Sequence, residues 1–194
     1  GFVTRIVNGR DPGLCGHLRR VGYMSALLAE AIGYSADDVK LISLGACLHD
    51  IGKLSISEYI LYKPARLTAT EFAVVSRHAE LGVELLTPLE LDSRISDIVL
   101  YHHENYDGSG YPRGLAGEKI PHFARIVRIC DCFDALTSNR PYQQSISVNA
   151  ALETLQRDAH CFEPHLLDLF CRLMTGPAMA QPDAVRVLRT AHTR

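Results

Sequence analysis

Histidine and aspartate recur at the core-facing positions of this chain, and that constrains its fold more than any bulk property. His49 lies seven residues after Ile42 and three after Ala46, while His102 lies seven after Ile95, four after Ile98 and three after Val99. Asp131 lies four after Val127 and eight after Phe123, and His78 lies three after Val75. At 3.6 residues per turn, these spacings put each polar side chain on the apolar face of its helix. His17 opens the first helical pattern. A single such histidine reads as an ordinary satisfied core residue. An isolated buried carboxylate, however, is costly unless it is paired or bound to a metal. The doublets His49-Asp50 and His102-His103, and the lack of a cation near Asp131 in sequence, make several coincident burials the better description.

The framework around them is helical throughout, and no alternating strand pattern appears. Leu18, Val21, Ser25, Leu28 and Ile32 line a first helix that stops at Gly33. Ser35 with Asp38 resembles a capping box and opens a second helix through Val39, Ile42, Ala46 and His49, which Gly52 ends. Thr68 with Glu71 repeats that pattern and starts one long helix carrying Phe72, Val75, His78, Gly82 and Leu85. A helix through His102 follows, and then a glycine-rich loop from Tyr106 to Gly117. Pro121 suits the first position of the next helix, through Phe123, Ile126, Val127, Asp131 and Asp134. Two more helices lie around Val148–Ala159 and Pro164–Met174. The fold class is all-α, a helical bundle with a metal site in its core. Residues 1–10 read as a linker stub from an upstream domain, 11–175 as the working domain, and 176–194 as an appendage ending in a short helix.

Composition excludes several classes. Twenty Lys and Arg against 22 Asp and Glu give a net charge of −2, which argues against a surface for duplex nucleic acid. No run approaches the roughly 20 apolar residues of a membrane span, and no signal segment opens the chain, so a cytoplasmic setting is expected. The six cysteines form no C-x-x-C pair and are expected to be free, buried thiols.

Imidazole and carboxylate donors together suit iron, manganese, zinc or a mixed pair. Structural zinc is disfavoured because no cysteine joins the histidines at close spacing. Seven candidate ligands exceed the needs of one tetrahedral ion. Two ions bridged by a carboxylate are the natural arrangement in a helical bundle.

These residues also carry a family signature. His49-Asp50-Ile51-Gly52-Lys53 resembles the H-D-x-G-K core of HD-domain phosphohydrolases. The run from His102-His103-Glu104 to Gly110-Tyr111-Pro112 resembles the signature of their HD-GYP subfamily. Ala124-Arg125-Ile126, Asp131, Asp134 to Ser138 and Arg140-Pro141-Tyr142 follow in the family's order, so the resemblance spans about residues 11–175. It implies a bacterial phosphodiesterase that hydrolyses the second messenger cyclic di-GMP, as an output domain of a signalling protein. It further implies two divalent ions, iron or manganese, with Asp50 bridging. His17, His49 and Asp131 would complete one site, and His78, His102 and His103 the other. Some members recruit a third ion through a carboxylate four residues before the first histidine. Gly13 stands there, so a binuclear site is expected.

In the family picture a metal-bridging hydroxide attacks phosphorus, releasing linear pGpG and onward GMP. Lys53 stabilises developing charge, Asp134 orients Lys53, and Arg140 grips a substrate phosphate. Gln143 stands where some members are basic. The Gly110-Tyr111-Pro112 loop is a structural turn or a contact for partners such as diguanylate cyclase domains, with an upstream sensory or receiver domain as the other expected partner. Competing readings are a catalytically silent module that binds cyclic di-GMP or a partner, a phosphohydrolase of other cyclic dinucleotides or monophosphates, and a di-iron oxygen or redox sensor. All seven ligand positions are filled, which favours the enzyme.

Overall fold

A computed structural model of the chain describes residues 12–138 and 144–176. The expected linker at 1–10, Arg140 and Gln143, and the appendage beyond Gly176 lie outside the described residues. The α-helices are α1 (Pro12–Ile32), α2 (Ala36–Leu48), α3 (Glu58–Leu61), α4 (Ala69–Ser76), α5 (His78–Leu86), α6 (Ser93–Tyr101), α7 (His122–Thr137), α8 (Val148–Arg157) and α9 (Pro164–Thr175). Among the described residues there is no strand, and no helix is long and apolar enough to cross a membrane.

The ends of these helices follow from local chemistry. α1 stops where Gly33 takes φ +96°, with its amide bonded to Glu30 O and that of Tyr34 to Ala29 O. This is the left-handed glycine stop, which satisfies the last carbonyls. Ser35 caps α2 by accepting from the Asp38 amide at 3.2 Å, but its hydroxyl goes to the Asp38 carboxylate, so the reciprocal half of the expected box is absent. Thr68 and Glu71 form the full reciprocal box that opens α4. Pro121 caps α7 instead of occupying its first turn.

Two departures from the periodicity matter for the site. His17 does not open α1 but lies inside it, five residues after Pro12. The long helix expected from Thr68 is broken at Arg77 into α4 and α5, which leaves Phe72 and Leu85 exposed instead of core-facing. At the break, the His78 ring donates from Nδ1 to Val75 O at 2.7 Å. That carbonyl would otherwise serve the Ala79 amide, and a side chain entering the ladder this way interrupts a helix.

The main core joins α1, α2, α6, α7, α8 and α9 through Val21, Met24, Leu28, Ile42, Ile98 and Phe133, with Phe133 and Phe170 meeting edge to face at 5.2 Å. A smaller cluster of Cys15, Leu18, Leu48, Ile51, Ile95 and Val99 joins the near ends of α1, α2 and α6. The six cysteines are free, as expected, but only Cys15 and Cys130 are buried and the other four are partly exposed. Gly52, in the 3₁₀ turn Ile51–Ser55, lets that turn press against α5. A Cβ there would stand 1.9 Å from His78 O and 2.5 Å from Gly82 N.

Candidate metal centre

Three of the histidines reach the centre by the same device. Nδ1 of His49, His78 and His102 donates to the carbonyl three residues earlier, at Ala46 (2.6 Å), Val75 (2.7 Å) and Val99 (2.8 Å). A carbonyl only accepts, so Nδ1 carries the proton and Nε2 presents its lone pair inward. α2 and α6 end at the first and last of these rings, and α5 begins at the second. His17 is held differently, by Nδ1 donating to Asp134 Oδ2 at 2.7 Å.

Asp50 stands between two sets of nitrogens. Its Oδ2 lies 3.5 Å from both His17 Nε2 and His49 Nε2. Its Oδ1 lies 3.2 Å from His78 Nε2 and 3.8 Å from His102 Nε2. Asp131 flanks the Oδ2 side, with Oδ1 3.3 Å from His17 Nε2 and 3.8 Å from His49 Nε2. His103 completes the Oδ1 side, its donor atom within 4.8 Å of those of Asp50, His78 and His102. The structure therefore brings together the seven residues expected as ligands, with His17, His49 and Asp131 on the Oδ2 side and His78, His102 and His103 on the other. His49, Asp50, His78 and His102 are at most 1% exposed.

The donor set fits divalent ions. Imidazole nitrogens meet head-on, with His17 and His49 Nε2 3.3 Å apart and His78 and His102 Nε2 3.2 Å apart. A divalent ion placed between each pair would take a lone pair from both rings. Asp50 Oδ1 is buried and accepts no hydrogen bond, although buried carboxylate oxygens normally do. His17, His49, His78 and His102 each also have an outer partner at Nδ1, as metal-ligating histidines do.

Electrostatics separate the two sides. Burial alone would lower the His17 pKa, but Asp134, Asp50 and Asp131 outweigh it and raise it to about 9. Burial lowers His102 to about 4, helped by His49 and His78 and opposed by Asp50. Burial likewise holds His103 well below its usual value. Against its own burial, Asp50 is kept well below the carboxylate range by Lys53, His49 and the other rings.

Lys53 lies on the Asp50 side as expected, its Nζ donating to Oδ2 at 2.5 Å with the side chain a quarter exposed. Asp134, expected to orient Lys53, has other partners in the structure. Asp134 accepts from Arg20 Nε at 2.5 Å and Arg20 Nη2 at 2.9 Å, and from His17. The reason is register: His17 and Arg20 share one face of α1, packed against α7, so the carboxylate is saturated there. Arg20, which also donates to Ser138, escaped the sequence reading. Its signal was its position three residues after His17, which buries a guanidinium beside an imidazole.

A second missed residue is Glu104. It is 1% exposed and accepts from the Arg113 and Leu115 amides at 2.7 and 3.0 Å, clamping the glycine loop beside His103. Gly110 packs so tightly that a Cβ would stand 2.3 Å from Asn105 N. Tyr111 stacks on His103 at 4.7 Å.

Comparison with known proteins adds to this geometry. Residues 2–166 match a family model described as HD domain. The chain is 42% identical over 175 residues to the cyclic di-GMP phosphodiesterase response regulator RpfG of Xanthomonas campestris pv. campestris, covering 88% of this chain and 46% of that protein. It is 36% identical over 156 residues to 3'3'-cGAMP-specific phosphodiesterase 3 of Vibrio cholerae, covering 80% of this chain and 34% of that one. It thus spans less than half the length of either relative. Among solved structures, the HDG"Y"P protein Bd1817 from Bdellovibrio bacteriovorus shares the fold with TM-score 0.69 at 21% identity, covering 82% of this chain and 52% of that one.

Proposed function

The chain belongs to the HD-domain family and carries the HD-GYP signature, and from that premise we propose that it is a metal-dependent phosphodiesterase that opens cyclic di-GMP to linear pGpG. The observation that carries the reading is Asp50, whose two oxygens face separate nitrogen sets. That arrangement supports two ions with Asp50 as the bridge. His17, His49 and Asp131 would hold one, and His78, His102 and His103 the other. Nitrogen and carboxylate donors without thiolate suit iron or manganese. Bound there, such a pair supplies Lewis acidity and a hydroxide nucleophile near neutral pH.

The chain's own residues do the rest. His17 is oriented by Asp134, which Arg20 grips through two nitrogens, so the imidazole cannot rotate out of line. Lys53 places an ammonium beside the centre with a path to solvent, where it neutralises charge gathering on a phosphoryl oxygen. Arg140 is assigned to the substrate phosphate on its motif, as a guanidinium can bind two phosphate oxygens at once.

The test is anaerobic purification, loading with Fe(II) or Mn(II), and chromatography of cyclic di-GMP and its products. Chelator-sensitive conversion to pGpG is expected. Metal bound without turnover would favour a binding module. The similarity to a 3'3'-cGAMP-specific enzyme favours a second reading, a preference for the mixed dinucleotide. Competition between the two substrates in one assay decides it.

A further inference from the structure

We infer that Phe72 is a stacking platform for a purine base of the substrate, an inference that rests on the cyclic-dinucleotide reading above. The segment that carries it leaves the centre just after the Lys53 turn and returns at His78, so both of its ends are anchored beside the ligands. Its helices, α3 and α4, bury none of their residues. They nevertheless carry rings or end at them: Tyr59, Tyr62 at the end of α3 and Phe72 are all exposed, Phe72 by 52%.

A lone exposed apolar side chain needs no explanation. Phe72 is not alone. Its ring meets Tyr111 edge to face at 5.8 Å, and Tyr111 stacks on His103 with planes 26° apart. A continuous aromatic path thus runs from a metal-facing imidazole to an open phenyl ring. A phosphodiester held at the inner end of that path has its bases one sugar away, toward the outer end. An exposed ring offers what a base lacks in that position, an apolar face. Stacking accepts any base because every base has a π-face. Phe72 should therefore strengthen binding without choosing between guanine and adenine.

The experiment uses the metal-loaded chain and its Phe72→Ala and Phe72→Trp variants, with metal content measured in each. Phe72→Ala should raise KM for cyclic di-GMP about tenfold, the loss of one base stack. It should lower kcat/KM for cyclic di-GMP relative to a base-free diester by the same factor, and Phe72→Trp should restore both. The mixed guanine–adenine dinucleotide should lose as much as cyclic di-GMP. An unchanged KM in Phe72→Ala, with the parent active, overturns the platform and leaves the phosphodiesterase reading standing. If the parent binds without cleaving, the same tenfold change is read in Kd by calorimetry. A parent that neither binds nor cleaves a cyclic dinucleotide overturns both readings.

Discussion

The metal centre and the segment from Glu58 to Ser76 are neighbours in the chain and obey opposite rules. Around Asp50, four polar side chains are within 1% of complete burial, and all but one of their hydrogen-bonding oxygens and ring Nδ1 atoms have partners. In α3 and α4 nothing is buried. There the segment is held by the Thr68–Glu71 cap, a Lys63–Glu71 ion pair at 2.7 Å and the Phe72–Tyr111 ring contact. Burial makes the centre exact, because a misplaced imidazole there would lose its only partner. Exposure makes the segment forgiving, since water replaces whatever it lets go.

Substitutions at the centre should be the most damaging. Asp50→Ala should remove most bound metal and lower turnover on the order of a thousandfold, the several kcal/mol that metal catalysis supplies. Helical circular dichroism should stay near that of the parent. Metal retained at parental levels, measured by elemental analysis, would break the bridging assignment. Gly52→Ala tests rigidity instead of ligation. Its Cβ would run into the backbone of α5, so the backbone must shift, at about 3 kcal/mol in urea unfolding. A parental midpoint would mean that the turn and α5 separate easily.

Asp134→Asn is milder. It keeps the size of the side chain but weakens the grip on His17, and metal affinity should fall about 10- to 100-fold. If affinity holds while only kcat falls, Asp134 acts on chemistry and the original assignment to Lys53 regains support. In the exposed segment, Ala73→Gly should cost only about 1 kcal/mol, the intrinsic helix penalty, and leave metal content alone. A larger loss would mean that α4 is coupled to the centre more tightly than its exposure suggests.

The same contrast explains what could be read from the sequence. Four of the seven candidate ligands, His49, His78, His102 and Asp131, were legible because a polar residue on an apolar helical face is an anomaly that periodicity detects; Asp50 and His103 were read as their neighbours in doublets, and His17 from the start of the first helical pattern. Their division into two sets about Asp50 came from the family resemblance, and the rings stand on the two oxygens of Asp50 in those sets. The break at Arg77 was not legible. Hydrophobic spacing runs smoothly from Phe72 to Leu85, and only the bond from the His78 ring to Val75 O interrupts the ladder. Arg20 and Glu104 were hidden for another reason. Each is charged, and charged residues are normally assigned to the surface unless a partner is known, and their partners lie 114 and 9 residues away. Asp134 illustrates the limit of a resemblance: the residue type was right, but its partner depends on which face of α1 packs on α7.

The smallest effect, and the sharpest probe of the exposed segment, is the titration of Glu71. The Lys63 ammonium, followed by the Thr68 amide, lowers its pKa to about 2. A carboxyl whose folded pKa lies below its unfolded value stabilises the fold above the unfolded value and loses that contribution as pH falls through the folded one. The contribution should therefore be intact at neutral pH and persist well below the usual carboxylate range of about 4.3. Followed by carboxyl carbon NMR between about pH 5 and pH 3, the parent Glu71 should stay ionised, whereas in Lys63→Ala it should begin to protonate. The shift should be partial, because the Thr68 amide still donates at 2.8 Å. The urea midpoint should barely move, since the pair is on the surface. A parent Glu71 that titrates in the ordinary range would show the Lys63 contact to be transient in solution. The segment carrying Phe72 would then lose one of its tethers.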